Sequence, residues 1–129
     1  MDDIVIDASC VLEFLLNQES KDYVVRKVGE RSLVAPQCMP YEIGNAVSKL
    51  MKRKLISIVD GVAVYHEFAR IPVRFVEPDI PDSILIAGNT DSYAYDSYYI
   101  SVAKRLGMPL FTLDDTMKSN AQKQGVSCL

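Results

Sequence analysis

Four acidic residues stand where an alternation of strands and helices can do chemistry. Asp7 closes the apolar, β-branched run Ile4-Val5-Ile6, and Asp114 follows Pro109-Leu110-Phe111-Thr112-Leu113. Glu42 falls in the first turns of a helix that begins near Pro40, and Asp96 near the start of the stretch Tyr95 to Leu106. Each has an ordinary explanation as a helix cap or dipole partner, worth ~0.3 to 1 kcal/mol at a helix N-terminus. Asp7 fits that explanation least well, because a carboxylate after a fully apolar strand must be solvated or paired. Gathered at one edge, the four charges would repel and shift one another's pKa unless a cation neutralised them. An oxygen-preferring divalent ion, Mg2+ or Mn2+, meets that need. The separated Cys10, Cys38 and Cys128, with the single His66, offer no set of zinc ligands.

The elements that must position these acids can be read from the apolar spacing. Ile4–Ile6, Ser32–Ala35, Val73–Val76 and Pro109–Leu113 read as strands, with Val126–Cys128 as a terminal fifth. Helices are expected over Ala8–Leu16, from Ser20 to Gly29, and from Pro40 to the basic run Lys52-Arg53-Lys54. Others are expected over Ser57–Ile71, Asp82–Ala87, Tyr95–Leu106 and from Asp114 to Gln124, with Gly88–Asp91 as a loop. Strands separated by helices imply a parallel sheet covered on both faces, with ligand sites outside the carboxyl ends of its strands. Asp7 and Asp114 then project from one edge, and the helices carrying Glu42 and Asp96 begin at that edge.

Composition bounds the function. The 129 residues are 49% hydrophobic and 24% charged, enough for one core without disulfides and too apolar for disorder. Cys10, Cys38 and Cys128 therefore read as small apolar fillers in a reducing cytoplasm. The first residues are acidic, not the basic start of an export signal, and no apolar run nears the ~18 residues needed to span a bilayer. A soluble, cytoplasmic protein without a membrane partner is expected. The net charge of -3 argues against a general cationic field, but without the four acids the sum is +1. Lys49, Lys52, Arg53 and Lys54 form the densest basic cluster. The last three suit a helix C-terminus, whereas Lys49 lies two turns from Glu42 and can approach a phosphate. The seven tyrosines, at helical spacing, read as packing before base stacking, and His66 reads as a boundary residue.

The runs Val5-Ile6-Asp7-Ala8-Ser9, Pro40-Tyr41-Glu42-Ile43-Gly44-Asn45-Ala46, Tyr95-Asp96-Ser97-Tyr98-Tyr99-Ile100-Ser101-Val102-Ala103 and Thr112-Leu113-Asp114 resemble, in order and interval, the acidic motifs of PIN domains, particularly the VapC-type toxins. The resemblance spans nearly the whole chain. It implies one three-layer α/β/α domain over residues 1–129 with a central parallel sheet of four to five strands. It also implies a metal-dependent endoribonuclease acting on RNA, a homodimer, and a small VapB-like antitoxin whose tail covers the acidic site. Position by position, Asp7, Glu42, Asp96 and Asp114 match the acidic quartet, and Ser9, Asn45 and Thr112 match supporting polar residues. The T-x-D frame starting at Thr112 favours Asp114 over the adjacent Asp115, and Ser97 stands where the family often has alanine.

On this reading Asp7 and Asp96 hold Mg2+, for which Mn2+ can substitute, and Asp114 completes the cluster directly or through water. Glu42 orients or deprotonates the attacking water, Asn45 supports it, and Lys49 meets the substrate phosphate. The same motifs also suit a PIN nuclease of RNA maturation or quality control without an antitoxin, or a catalytically silent PIN-like binding module. A phosphoacceptor receiver domain has similar length, but here Asp2-Asp3 precedes the first strand and Asp60 ends no apolar strand.

Overall fold

In the computed structural model, which describes residues 2–129, Ile4-Val5-Ile6 lies in the interior of a four-stranded parallel sheet. Chain order is β1 (Asp3–Ile6), α1 (Ala8–Leu15), α2 (Lys21–Val28), β2 (Ser32–Pro36), α3 (Met39–Lys52), α4 (Ile58–Ala69), β3 (Val73–Val76), α5 (Ile80–Asn89), α6 (Ala94–Leu106), β4 (Leu110–Phe111) and α7 (Asp115–Lys123). Spatial order is β3-β2-β1-β4. Consecutive apolar residues in β1 and β2 point to opposite faces, and both faces are covered: Ile4, Val5, Ile6, Val34 and Ala35 are all buried. Helix α6 lies against β1, β2 and β4 and pairs with α5, while α1 packs on α2, α3 and α4. The result is the expected three-layer α/β/α arrangement.

The strand order explains why the acids can meet. The chain builds outward from β1 through β2 to β3, then returns to the other side of β1 to place β4. The order therefore switches direction between β1 and β4, the position at which open α/β sheets leave a crevice beyond their carboxyl ends. Asp7 leaves β1 there, and Thr112 to Asp114 leave β4 beside it.

Several expected boundaries move, each for a local reason. Pairing in β4 stops after Phe111, not Leu113, because the Thr112 side chain turns toward Asp7. The expected strand over Val126–Cys128 shrinks to a single bridge, Leu110 to Cys128. Helix α5 runs over Ile80–Asn89 and takes in two residues expected to be loop. Asp79 caps it, its Oδ1 accepting from the Asp82 amide at 3.0 Å, and Pro81 is tolerated in the first turn. Gly61, inside α4, is explained by close packing on α3. A Cβ there would lie 2.6 Å from Met51 Sδ and 3.0 Å from Val47 Cγ1. Gly107 closes α6 in the left-handed region at φ 66°. Among the described residues, no helix is long and apolar enough to cross a membrane.

Candidate active site

Asp7 is the most buried of the four acids, with 5% of its surface exposed. As the N-cap of α1 it accepts a bond from the Cys10 amide (3.1 Å), and Ser9 Oγ donates to the same oxygen, Oδ1, at 2.7 Å. Its Oδ2 accepts from Thr112 Oγ1 at 2.5 Å. Thr112 Oγ1 in turn accepts from the Asp114 amide at 3.0 Å, so one hydroxyl ties the ends of β1 and β4 together. Burial raises the Asp7 carboxyl above its ordinary pKa, opposed by the bonds from Thr112, Ser9 and Cys10. Oδ1 thus accepts two bonds, whereas Oδ2 accepts one and keeps a lone-pair direction free for a further partner.

Asp114 is exposed and caps α7, accepting from the Met117 amide at 3.0 Å, while Asp115 occupies the first position of that helix. Asp96 sits half-buried in the first turn of α6, which begins at Ala94, one residue before the expected start. Burial raises its pKa most, followed by the charges of Asp114 and Asp7. Glu42 lies one turn into α3, where Pro40 is tolerated at the helix start. Burial pushes Glu42 up to about 7, and the charges of Asp96 and Asp7 add to the rise. The four carboxylates thus share one electrostatic neighbourhood.

Two residues hold Glu42 that the sequence did not single out. Cys38 Sγ donates to its Oε1 and Tyr99 Oη to its Oε2, both at 3.3 Å. Cys38, expected to be filler, is instead half-buried against a carboxylate, and burial, followed by the Glu42 charge, lifts its thiol to about 12. Burial and Glu42 raise the Tyr99 phenol as well, so it remains a donor. The spacings were visible: Cys38, which precedes α3, and Glu42 are one turn apart, as are Asp96 and Tyr99 on α6. The bond between the two helices was not.

Asn45 and Lys49 are exposed on α3 and line a cleft of about 440 Å3 with Ser9, Glu42, Tyr41 and Tyr95. The expectation that tyrosines serve packing holds for buried Tyr99; Tyr41, Tyr93 and Tyr95 are 79%, 85% and 58% exposed. Among the described residues, the ion pairs are Arg70 with Glu67 and Arg74 with Asp3, so neither neutralises the four acids. Nor do three His, Cys, Asp or Glu side chains there form a ready-made cage. An all-oxygen donor set with uncompensated, partly buried charge nonetheless suits Mg2+, which takes one or two carboxylates and keeps several waters.

A PIN-domain family model matches residues 4–123. Ribonuclease VapC12 of Mycobacterium tuberculosis is 31% identical over 124 residues, covering 95% of this chain and 92% of that protein. PAE2754 of Pyrobaculum aerophilum superposes with a TM-score of 0.74 at 19% identity, over 92% of this chain and 79% of that one. FitAcB of Neisseria gonorrhoeae gives 0.71 at 16% identity, over 98% and 96%. VapC20 of M. tuberculosis, described as a sarcin-ricin loop cleaving toxin, gives 0.65 at 12% identity, over 91% and 94%. With a family model spanning nearly all of the chain and a ribonuclease relative matched almost end to end, this chain belongs to the PIN-domain family, among its VapC-type ribonucleases.

Proposed function

We propose that the protein is a metal-dependent endoribonuclease, the toxin of a VapBC-type pair, working as a single PIN-like domain over residues 1–129 in the cytoplasm. Asp7 and Asp96 hold the ion, Asp114 joins them directly or through water, and Glu42 receives the proton of the attacking water. Mg2+, or Mn2+ in its place, supplies when bound a Lewis acid for the phosphate and a bound water of lowered pKa. Ser9, Thr112 and the Cys10 amide fix the Asp7 carboxylate before substrate arrives, so its reorganisation cost is small. Glu42, near 7, is matched to accepting a proton at neutral pH. Asn45 supports that end of the site, and Lys49 neutralises a phosphate of the substrate.

The observation that carries this reading is Asp7: a buried carboxylate held by three donors at the switch point of the sheet, with three more acids acting on the same space. Purified protein incubated with total RNA should cut it with Mg2+ or Mn2+ and not with EDTA. Asp7→Asn should lose the activity. No cleavage under any metal condition, or an unchanged Asp7→Asn protein, overturns the nuclease reading.

A VapB-like antitoxin and a second copy of the chain complete the proposal. Two separate apolar surfaces support it: Ile58, Val59 and Val62 on α4, and Ile80, Ile84 and Leu85 on α5, all more than half exposed. Light scattering of the purified protein should give twice the 14.4 kDa chain mass.

A further inference from the structure

The cleft beside the acids is lined by two tyrosines, Tyr41 and Tyr95, that hydrolysis itself does not use. Tyr41, Asn45 and Lys49 stand four residues apart on α3, a row about 12 Å long on one helix face. All three are exposed and line the cleft, and Glu42 stands beside Tyr41 at the acidic end of the row. Tyr95 enters the same cleft from the first turn of α6, next to Asp96. Its ring is not loose. It meets half-buried Tyr98 nearly at right angles, with centroids 5.6 Å apart and planes at 82°. Two aromatic rings therefore stand in solvent at the mouth of a cleft whose lining cation, among the described residues, is Lys49.

This sequence of groups matches the parts of a nucleotide. A ring stacks on a base, an amide can donate and accept at a base edge or ribose hydroxyl, and an ammonium meets a phosphate. Base faces are free for stacking only where the strand is unpaired. We propose that Tyr41 and Tyr95 stack an unpaired base of the RNA beside the bond that is cut. Asn45 bonds the edge of that nucleotide, and Lys49 holds the flanking phosphate. The inference rests on the ribonuclease reading and deepens it: cleavage is directed to single-stranded segments by the cleft itself.

The test uses a short single-stranded RNA carrying one 2-aminopurine, bound to the Asp7→Asn protein so that binding is read without cleavage. Binding should quench the fluorescence. Tyr41→Ala and Tyr95→Ala should each weaken binding about tenfold and relieve the quench. Tyr41→Phe and Tyr95→Phe should keep both, which separates stacking from a folding defect. Tyr93→Ala, equally exposed but outside the cleft lining, should change neither. The same sequence in a duplex should bind at least tenfold more weakly and unquenched. A quench that survives both alanine variants, absence of binding, or duplex binding as tight as single-strand binding overturns the inference. Metal-dependent cleavage indifferent to strandedness overturns it while leaving the nuclease reading intact. Stacking without cleavage under any metal condition does the reverse.

Discussion

The two sides of the acidic site are built differently. On the side of β1 and β4, Asp7 is nearly inaccessible and takes three bonds of 2.5 to 3.1 Å, one of them from Thr112, which also caps the Asp114 amide. On the side of α3 and α6, Glu42 is half-buried and held by two longer contacts of 3.3 Å, from a thiol and a phenol. Short bonds to a buried carboxylate fix its position. Burial pushes Glu42 up to about 7, and its two longer contacts only partly oppose that rise. The first side suits a fixed anchor for an ion and the second a group that takes up and releases a proton.

The contrast can be broken from the anchor side first. Asp7→Asn should lower cleavage at least a hundredfold with little loss of melting temperature, since it removes a charge that burial opposes. A cleavage rate on labelled RNA and a melting curve from one preparation check both parts. Thr112→Val removes the bond to Asp7 and the acceptor for the Asp114 amide together. It should cut kcat roughly tenfold and cost about 1 to 3 kcal/mol, read by denaturant unfolding.

On the proton-accepting side the effects should be smaller and of another kind. Tyr99→Phe removes a donor that holds the Glu42 pKa down, so the acid limb of the kcat profile should move to higher pH, by less than about one unit. Cys38→Ala should move it the same way. A limb that stays in place or moves down would dissociate these donors from the proton transfer. An effect of similar size, on stability instead of rate, is expected without metal. The folded Glu42 pKa lies above its ordinary 4.5, so its contribution is fully present below about pH 4.5 and lost as pH rises through about 7. Allowing for screening of a half-exposed group, that is about 1 to 2 kcal/mol. The melting temperature in EDTA should therefore fall from pH 5 to pH 8, and Glu42→Gln should flatten the fall.

Much of this anatomy was legible in the chain. The apolar run before Asp7 marks a buried strand whatever surrounds it, and the spacing of Pro40, Glu42, Asn45 and Lys49 describes one helix. What stayed hidden depended on neighbours distant in sequence. That Thr112 would leave the sheet to bond Asp7 follows from β4 lying beside β1, which no local pattern states. Cys38 looked like filler because its partner's role becomes visible only when Tyr99 reaches Glu42 across 57 positions. The tyrosines were misjudged as a class, since period alone cannot separate Tyr99, inside α6, from Tyr95, one turn earlier on the open cleft.

The central claim is that Asp7 and Asp96 together hold the ion on which cleavage depends. Its most direct test is the single-turnover rate on a labelled RNA, followed across a Mg2+ titration for the wild type, Asp7→Asn and Asp96→Asn side by side. The account predicts a saturable Mg2+ dependence in the wild type and rates at least a hundredfold lower in both variants at every concentration. Full Mg2+-dependent cleavage by both variants would contradict it.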